Sequence, residues 1–242
     1  MLGASKSFIS NLKKQKREND ALLFLDNVKI IKDAIANKSL DIKCILTSLD
    51  KLPFDFDDDK TFRVDAKTIE ILADTKTPQK VLCIAYLSQD VEVLPKTNFL
   101  VLDHLQDPGN VGTLIRSAKA SGFETIYLVD SVRKTNPKLI RSSVGAVFDS
   151  KVVEISLAEF AKLAKENNFN LLCCDMNGEN IFDFHTDKQV GVVIGNEGQG
   201  VCEQISQMCF KTLKIPMKSG IESLNAGVSG SIIMYEINKN SF

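Results

Sequence analysis

Residues Phe99–Asp130 read FLVLDHLQDPGNVGTLIRSAKASGFETIYLVD, and this stretch decides the fold. Its apolar ends, FLVLDHL and TIYLVD, have strand length, and Asp107-Pro108-Gly109 turns the chain out of the first. The spacing predicts a helix over Asn110–Ser121, with Asn110 as its N-cap and Arg116 inside it. Strand, helix and strand then recur outward. A helix near Pro137–Gly145 and the strand KVVEI follow, then a helix over Leu157–Asn167 and the strands LLCCD and VGVVIG. A helix over Gly200–Met208, the strand LKIPM and a helix over Ser223–Ile237 complete the series, with Ser223 as N-cap. Apolar strands of four to six residues alternating with helices indicate an α/β protein whose parallel sheet is covered on both faces.

Upstream lies a second, shorter alternation. Ser7–Arg17 reads as a basic helix, Ala21–Leu25 as an apolar run, VKIIKDAIAN as an amphipathic helix and IKCILTS as a strand. LPFDFDDDK reads as an acidic loop; a short strand, a helix around Lys67–Leu72 and the buried strand VLCIAYL follow. The polar, proline-bearing segment Ser88–Asn98 reads as a linker, which divides the chain into regions 1–90 and 97–242.

Composition narrows the classes. The chain has 242 residues, is 44% hydrophobic and 25% charged, and carries a formal net charge of −1. That is enough apolar material for a true core, and it excludes wholesale disorder and a fibrous repeat. The longest strong apolar run, Val81–Leu87, falls far short of the ~20 residues of a membrane helix. The N-terminus lacks the apolar core of a signal peptide, so a cytoplasmic protein is expected. Cys44, Cys83, Cys173, Cys174, Cys202 and Cys209 show no Cys-x-x-Cys spacing, and neither His104 nor His185 neighbours a cysteine pair. These cysteines read as small buried hydrophobes, with no metal site.

Charge is balanced overall but not locally. Residues 1–95 carry 15 basic and 15 acidic side chains, and residues 96–242 carry 15 and 16. Lys6, Lys13, Lys14, Lys16 and Arg17 all precede the first acid, Glu18, and Arg133, Lys134, Lys138 and Arg141 form a second basic island. A solvated face and a phosphate contact are both open readings of such clusters.

Three loops stand out at strand ends, where ligands bind in open parallel sheets. The first, DPGNVGTLIRSAKASGF, pins Arg116 on a helix, which suits recognition of phosphate or of a developing oxyanion. The second, IGNEGQG, has G-x-x-G-x-G spacing, which is neither the dinucleotide fingerprint nor a phosphate-gripping P-loop. Its glycines let backbone approach a ligand closely, and Glu197 sits among them. The third, IPMKSGIESLNAGVSGSIIMYEI, places Leu224, Val228 and Ile232 on one helical stripe. It leaves Gly227, Gly230 and Ser231 as a nearly bare face, open to close helix packing.

In this order and spacing the three loops resemble the signature motifs of the SpoU (TrmH) family of RNA ribose 2′-O-methyltransferases, in the SPOUT superfamily. KLIRSSVGAVF resembles the family's intermediate segment. The resemblance is strong over residues 97–242. It is weaker over residues 20–90, which are similar to the family's small substrate-binding domain, with Asp26-Asn27 in place of the usual Glu-Gly. The resemblance implies a C-terminal trefoil knot, a homodimer and S-adenosylmethionine as cofactor. It implies cofactor contacts at Gly195, Gly198, Ile215, Met217 and Leu224, with Met176 and Asn177 beside them. It further implies a reacting ribose hydroxyl beside Arg116, with Asn110 and Glu197 orienting that guanidinium and Ser223 and Asn225 completing the pocket. RNA contacts are expected from region 1–90, from Lys13, Lys14, Lys16 and Arg17, and from Arg133, Lys134, Lys138 and Arg141. Ribosomal RNA is the expected substrate. Transfer RNA, a non-catalytic RNA-binding protein of this fold, and a nucleotide-dependent α/β enzyme are the alternatives.

Overall fold

The computed structural model describes residues 1–87, 94–220 and 223–241; most of the expected linker, Ser88–Asn98, lies outside them. The chain forms two compact units, Met1–Gln89 and Asp90–Phe242.

The first unit contains β1 (Leu2–Gly3), α1 (Lys6–Glu18), β2 (Leu22–Leu25), α2 (Val28–Asn37), β3 (Leu40–Thr47), β4 (Thr61–Arg63), α3 (Ala66–Leu72) and β5 (Val81–Leu87). Among the described residues its sheet has the order β1-β4-β3-β5-β2. It is mixed: β3 pairs parallel with β4 but antiparallel with β5, which also pairs antiparallel with β2. Leu12 of α1 and Ile69 and Leu72 of α3 pack with Leu22, Phe24, Leu46 and Ile84 into one core. The Asp26-Asn27 pair has local work. Asp26 is buried and accepts from Thr75 N (3.2 Å) and Thr75 Oγ1 (2.5 Å). Asn27 caps α2, accepting from Ile30 N at 3.1 Å.

The second unit contains β6 (Phe99–Asp103), α4 (Pro108–Ala120), β7 (Thr125–Val129), α5 (Pro137–Ser142), α6 (Ala146–Asp149), β8 (Lys151–Ile155), α7 (Leu157–Glu166), β9 (Leu171–Asn180), β10 (Gly191–Ile194), α8 (Glu203–Ser206), β11 (Cys209–Lys214) and α9 (Ala226–Ile237). Among the described residues the strand order is β11-β9-β10-β6-β7-β8, and every pairing is parallel. The α/β expectation with a parallel sheet therefore holds for this unit. Val101, Tyr127 and Val193 of the sheet pack with Phe160 of α7 and Ile205 of α8 on one face.

Several boundaries differ from the sequence reading. The N-cap of α4 is Asp107, not Asn110: its carboxylate accepts from Asn110 N at 2.9 Å, and Pro108 occupies the first turn, where its missing N–H costs nothing. The cap of α9 is Asn225, not Ser223; its side chain accepts from Val228 N at 3.3 Å. The helix expected over Gly200–Met208 shrinks to Glu203–Ser206, because Asn196–Gly200 is folded back as a closed turn. The helix expected to reach Gly145 stops at Ser142, since Val144 (φ 52°) and Gly145 (φ 83°) are both left-handed.

The stripe Leu224-Val228-Ile232 is not the buried side of α9. Val228 is 47% exposed, whereas Gly227, Gly230, Ile233 and Met234 are buried. The bare face docks instead. A Cβ on Gly230 would overlap Leu114 of α4, and Ser231 Oγ donates to Ser117 Oγ at 2.7 Å. Small residues win this contact because only they let two helices approach so closely.

Candidate functional site

The second and third unusual loops converge at the carboxyl ends of β9, β10 and β11, beside the switch point where β10 meets β6, and the first loop joins them through Asn110. A cavity of about 460 Å³ opens there. Cys174, Asp175 and Met176 line it from β9, Ile194–Glu197 and Gly200 from the glycine loop, Leu213–Ile215 and Met217 from β11 and beyond, and Ser223–Ala226 from the start of α9.

The glycine loop is held from several sides. Asn196 N donates to Gly200 O and Gly200 N to Asn196 O, both at 2.9 Å, closing the turn. The Asn196 side chain organises the interior, since Oδ1 accepts from Gly198 N (2.9 Å) and Gln199 N (3.1 Å). Its Nδ2 donates to His104 O at 2.9 Å, tying the loop to the end of β6. Asp103, fully buried, accepts from Cys202 N at 2.6 Å through Oδ2 and contacts His104 Nδ1 at 2.5 Å through Oδ1. The donor atoms of Asp103, His104 and Cys202 lie within 4.8 Å of one another. Both carboxylate oxygens are already engaged inside the fold, and three donors are one short of a tetrahedral structural zinc site, so this cluster reads as a brace for the loop.

One hydrogen-bonded chain joins all three loops. Asn225 Nδ2 donates to Asn110 Oδ1 at 2.8 Å, and Asn110 Nδ2 donates to Glu197 Oε1 at 2.9 Å. The sequence separations are 115 and 87 residues, so only the tertiary fold makes this chain. Ser223 is at the cavity wall with Asn225 and Glu197.

Arg116 is placed differently from expectation. It is exposed on α4, does not line the cavity, and makes no hydrogen bond or ion pair among the described residues. Asn110 and Glu197 bond each other and do not orient it. Helix geometry gives the reason. Six residues separate Asn110 from Arg116, which moves the side chain about 9 Å along the axis and onto a different face.

Of the candidate ligand residues, Gly195, Ile215, Leu224, Met176 and Met217 line the cavity, whereas Asn177 and Gly198 do not. Gly198 is taken up by the turn, and Asn177 N by Asp175 Oδ1 at 2.9 Å. The role of Gly195 also shifts. A Cβ there would collide with the Gly200 and Val201 backbone, so glycine is required by the loop's own closure before any ligand arrives. Sequence reasoning missed Asn196, Asp175 and Leu213. Asn196 carried a signal, an asparagine ahead of glycines in a turn. Leu213 carried none, as nothing local marks which strand residue faces a cavity.

The expected RNA-contacting cations divide into those held within the fold and those at its surface. Lys16 is tied down, at 2.9 Å from Asp74 and donating to Leu72 O (2.5 Å) and Ala73 O (3.1 Å), with its ammonium over the Phe24 ring. Lys134 is buried, and its Nζ donates to Val152 O at 3.2 Å. Both serve the core, not the surface. Lys14 pairs with Glu18 and Lys138 with Asp107 in exposed bridges, and Arg17 Nε donates to Lys13 O at 3.3 Å. Arg133 and Arg141 are exposed. Cys44, Cys83 and Cys173 are buried; Cys174, Cys202 and Cys209 are partly exposed, and all six are free thiols. Burial raises the thiol pKa of Cys44 to about 11 and that of Cys83 to about 12.

The cavity's apolar walls and its carboxylates, Asp175 and Glu197, suit a ligand with a flat apolar body and cationic groups. Among the described residues, no helix is long and apolar enough to cross a membrane. A relative across nearly the whole length is the 23S rRNA (guanosine(2553)-2′-O)-methyltransferase RlmP of Bacillus subtilis. It is 23% identical over 227 residues, covering 93% of this chain and 91% of that one. A TrmH-family relative from Staphylococcus epidermidis is 34% identical over 142 residues; the match spans 57% of each protein, just over half of that relative's length. The fold is that of the S-adenosylmethionine-bound rRNA methyltransferase of Sinorhizobium meliloti, with a TM-score of 0.84, 18% identity, and coverage of 100% of this chain and 98% of that one. The SpoU rRNA Methylase family model matches residues 97–235, which hold the strand ends, the glycine loop and the Asn110–Glu197–Asn225 chain, and this chain belongs to that family.

Proposed function

We propose that this protein is an S-adenosylmethionine-dependent methyltransferase acting on a ribose 2′-hydroxyl of RNA, with ribosomal RNA as its substrate. The observation that carries the reading is the hydrogen-bonded chain Asn225–Asn110–Glu197, which ties three distant loops together beside a cavity that Glu197 and Asn225 line. That cavity fits the cofactor: its volume is in the range of small-molecule sites, Leu213, Ile215 and Leu224 offer apolar contact to a purine, and Asp175 and Glu197 offer negative charge to ammonium and sulfonium groups. S-adenosylmethionine supplies a methyl group activated on sulfur, whose leaving group is a neutral thioether that needs no acid.

The residues must therefore act on the nucleophile. A guanidinium offers donors and no acceptor, so the part of Arg116 is to stabilise the forming alkoxide, while the hydroxyl proton passes to water or an RNA phosphate. Glu197, Ser223 and Asn225 form the wall against which the ribose aligns, with Asn110 bonding Glu197 and Asn225 in place, and alignment of reactants is itself a large contribution to rate. Arg116 lies outside its own subunit's cavity, which supports a homodimer in which the guanidinium serves a ribose held between two copies. The exposed Val228 and Tyr235 of α9 offer apolar surface for that contact.

Residues 97–242 form the methyltransferase domain in this reading, and residues 1–90 bind RNA substrate. A trefoil knot also belongs to it. The return of α9 onto β10 and α4, after β11 has been laid outside β9, supports that threading. The setting is the cytoplasm. Incubation with methyl-labelled S-adenosylmethionine and bulk ribosomal RNA tests the proposal: label must appear in alkali-stable dinucleotides, the mark of a blocked 2′-oxygen. Label confined to bases, or absent, overturns it.

A further inference from the structure

The first unit holds a groove of about 920 Å³ that no part of the methyl-transfer site uses. Lys6 and Lys13 reach it from α1, Arg63 from the end of β4, and Lys80 from the residue before β5. Against these four cations stands one carboxylate, Asp65. That acid is engaged as the cap of α3, accepting from Thr68 N at 2.6 Å.

Three of the four cations have no carboxylate partner among the described residues. Lys6, Lys13 and Lys80 form no ion pair among the described residues, and Arg63 has only the exposed Asp50, at 2.6 Å. Such an exposed pair is weak and gives way to a better anion. Lys80 is held rigidly: its backbone is left-handed (φ 60°), and its carbonyl accepts from Ser48 N (3.1 Å) and Thr47 Oγ1 (3.2 Å).

We propose that this groove is the RNA-backbone site of the first unit, with Lys6, Lys13 and Lys80 on successive phosphates. The inference rests on the RNA reading above and keeps only Lys13 of the basic run Lys13–Arg17 as its electrostatic footing, since Lys16 is tied to Asp74 and to the Leu72 and Ala73 carbonyls.

The test is fluorescence anisotropy of the full chain with a labelled single-stranded RNA of mixed sequence, titrated across a potassium chloride series. The triple variant Lys6→Ala/Lys13→Ala/Lys80→Ala is compared with Lys29→Ala/Lys32→Ala/Lys51→Ala, which removes three exposed lysines of the same unit elsewhere. Circular dichroism and S-adenosylmethionine calorimetry establish that both variants are folded. Loss of three phosphate contacts should lower the slope of log affinity against log salt by about 2, and low-salt affinity by at least ~10-fold. The control triple should retain the wild-type slope. A groove variant with the wild-type slope, or a control that loses as much, overturns the groove and leaves the RNA reading intact. A wild-type chain that binds no RNA at any salt overturns both.

Discussion

A methyl group added at residue 195 meets backbone rather than ligand. The Gly200 carbonyl and Val201 amide already occupy the space a Cβ needs, and backbone cannot swing aside as a side chain can. Gly195→Ala should therefore destabilise the fold by about 1–3 kcal/mol, through loop distortion, before it affects cofactor binding. Urea denaturation beside calorimetry separates the two effects. A variant with wild-type stability that has merely lost S-adenosylmethionine would show that the glycine serves the ligand and not the loop. Asn196 and Asp103 act in the same direction, one bonding the loop interior and His104 O, the other Cys202 N. The glycine spacing was readable in the sequence because glycine announces unusual backbone. The fates of Lys16 and Lys134 were not, because a long aliphatic stem lets the same lysine reach solvent or line a core. Six letters also hid where Arg116 stands relative to Asn110, for proximity in a helix depends on the turn and not the interval.

At the scale of elements, α4 is the hinge pin of the site, since it carries Asn110 at one end and packs on both α5 and α9. Its contact with α5 is close at Gly112, where a Cβ would lie 2.8 Å from Leu139 O and 2.8 Å from Ser143 N and would overlap Ser142 Oγ. That hydroxyl cannot retreat freely, since it bonds Pro108 O at 2.9 Å and Leu139 O at 3.0 Å. Alanine gains about 1 kcal/mol in helix propensity over glycine. Overpacking costs roughly 1–3 kcal/mol and should win, so Gly112→Ala is expected to lower the urea midpoint. A raised midpoint would mean the two helices are not so closely apposed.

The cap of α4 gives a pH signature. Hydrogen bonds from Asn110 N, then from Lys138, hold the Asp107 carboxyl below its ordinary value of 3.8. The charged cap thus contributes its stability fully above 3.8 and loses it as pH falls through the lower native value. Asp107→Ala should cost about 1 kcal/mol at neutral pH. Asp107→Asn should keep most of that while flattening the acid limb of the stability curve. An equal loss in both variants would point to the charge itself rather than the cap. The strands of this unit were legible because parallel sheets bury both faces and leave unbroken apolar runs. Short α8 was not, because a closed turn took up the residues that would have begun it.

Taken whole, the molecule joins a mixed sheet and a parallel sheet in two compact units, and their legibility differs for a physical reason. The parallel unit repeats one strand–helix rhythm, so each element predicts its neighbour. The first unit reverses strand direction at β5, and nothing local in VLCIAYL states which way a strand runs. The site was visible as three loops, but their union through Asn225, Asn110 and Glu197 is a property of the fold alone. In the proposed reaction this union holds a methyl donor where Arg116 can assist a ribose oxygen. The most direct measurement is mass-spectrometric mapping of 2′-O-methyl groups on ribosomal RNA after incubation with S-adenosylmethionine and either the wild-type chain or Arg116→Ala. The prediction is a new 2′-O-methylated nucleotide with the wild type and a transfer rate lower by about 10²-fold or more in the variant, with cofactor affinity unchanged. Equal transfer by the two proteins, or no ribose methylation by either, would contradict it.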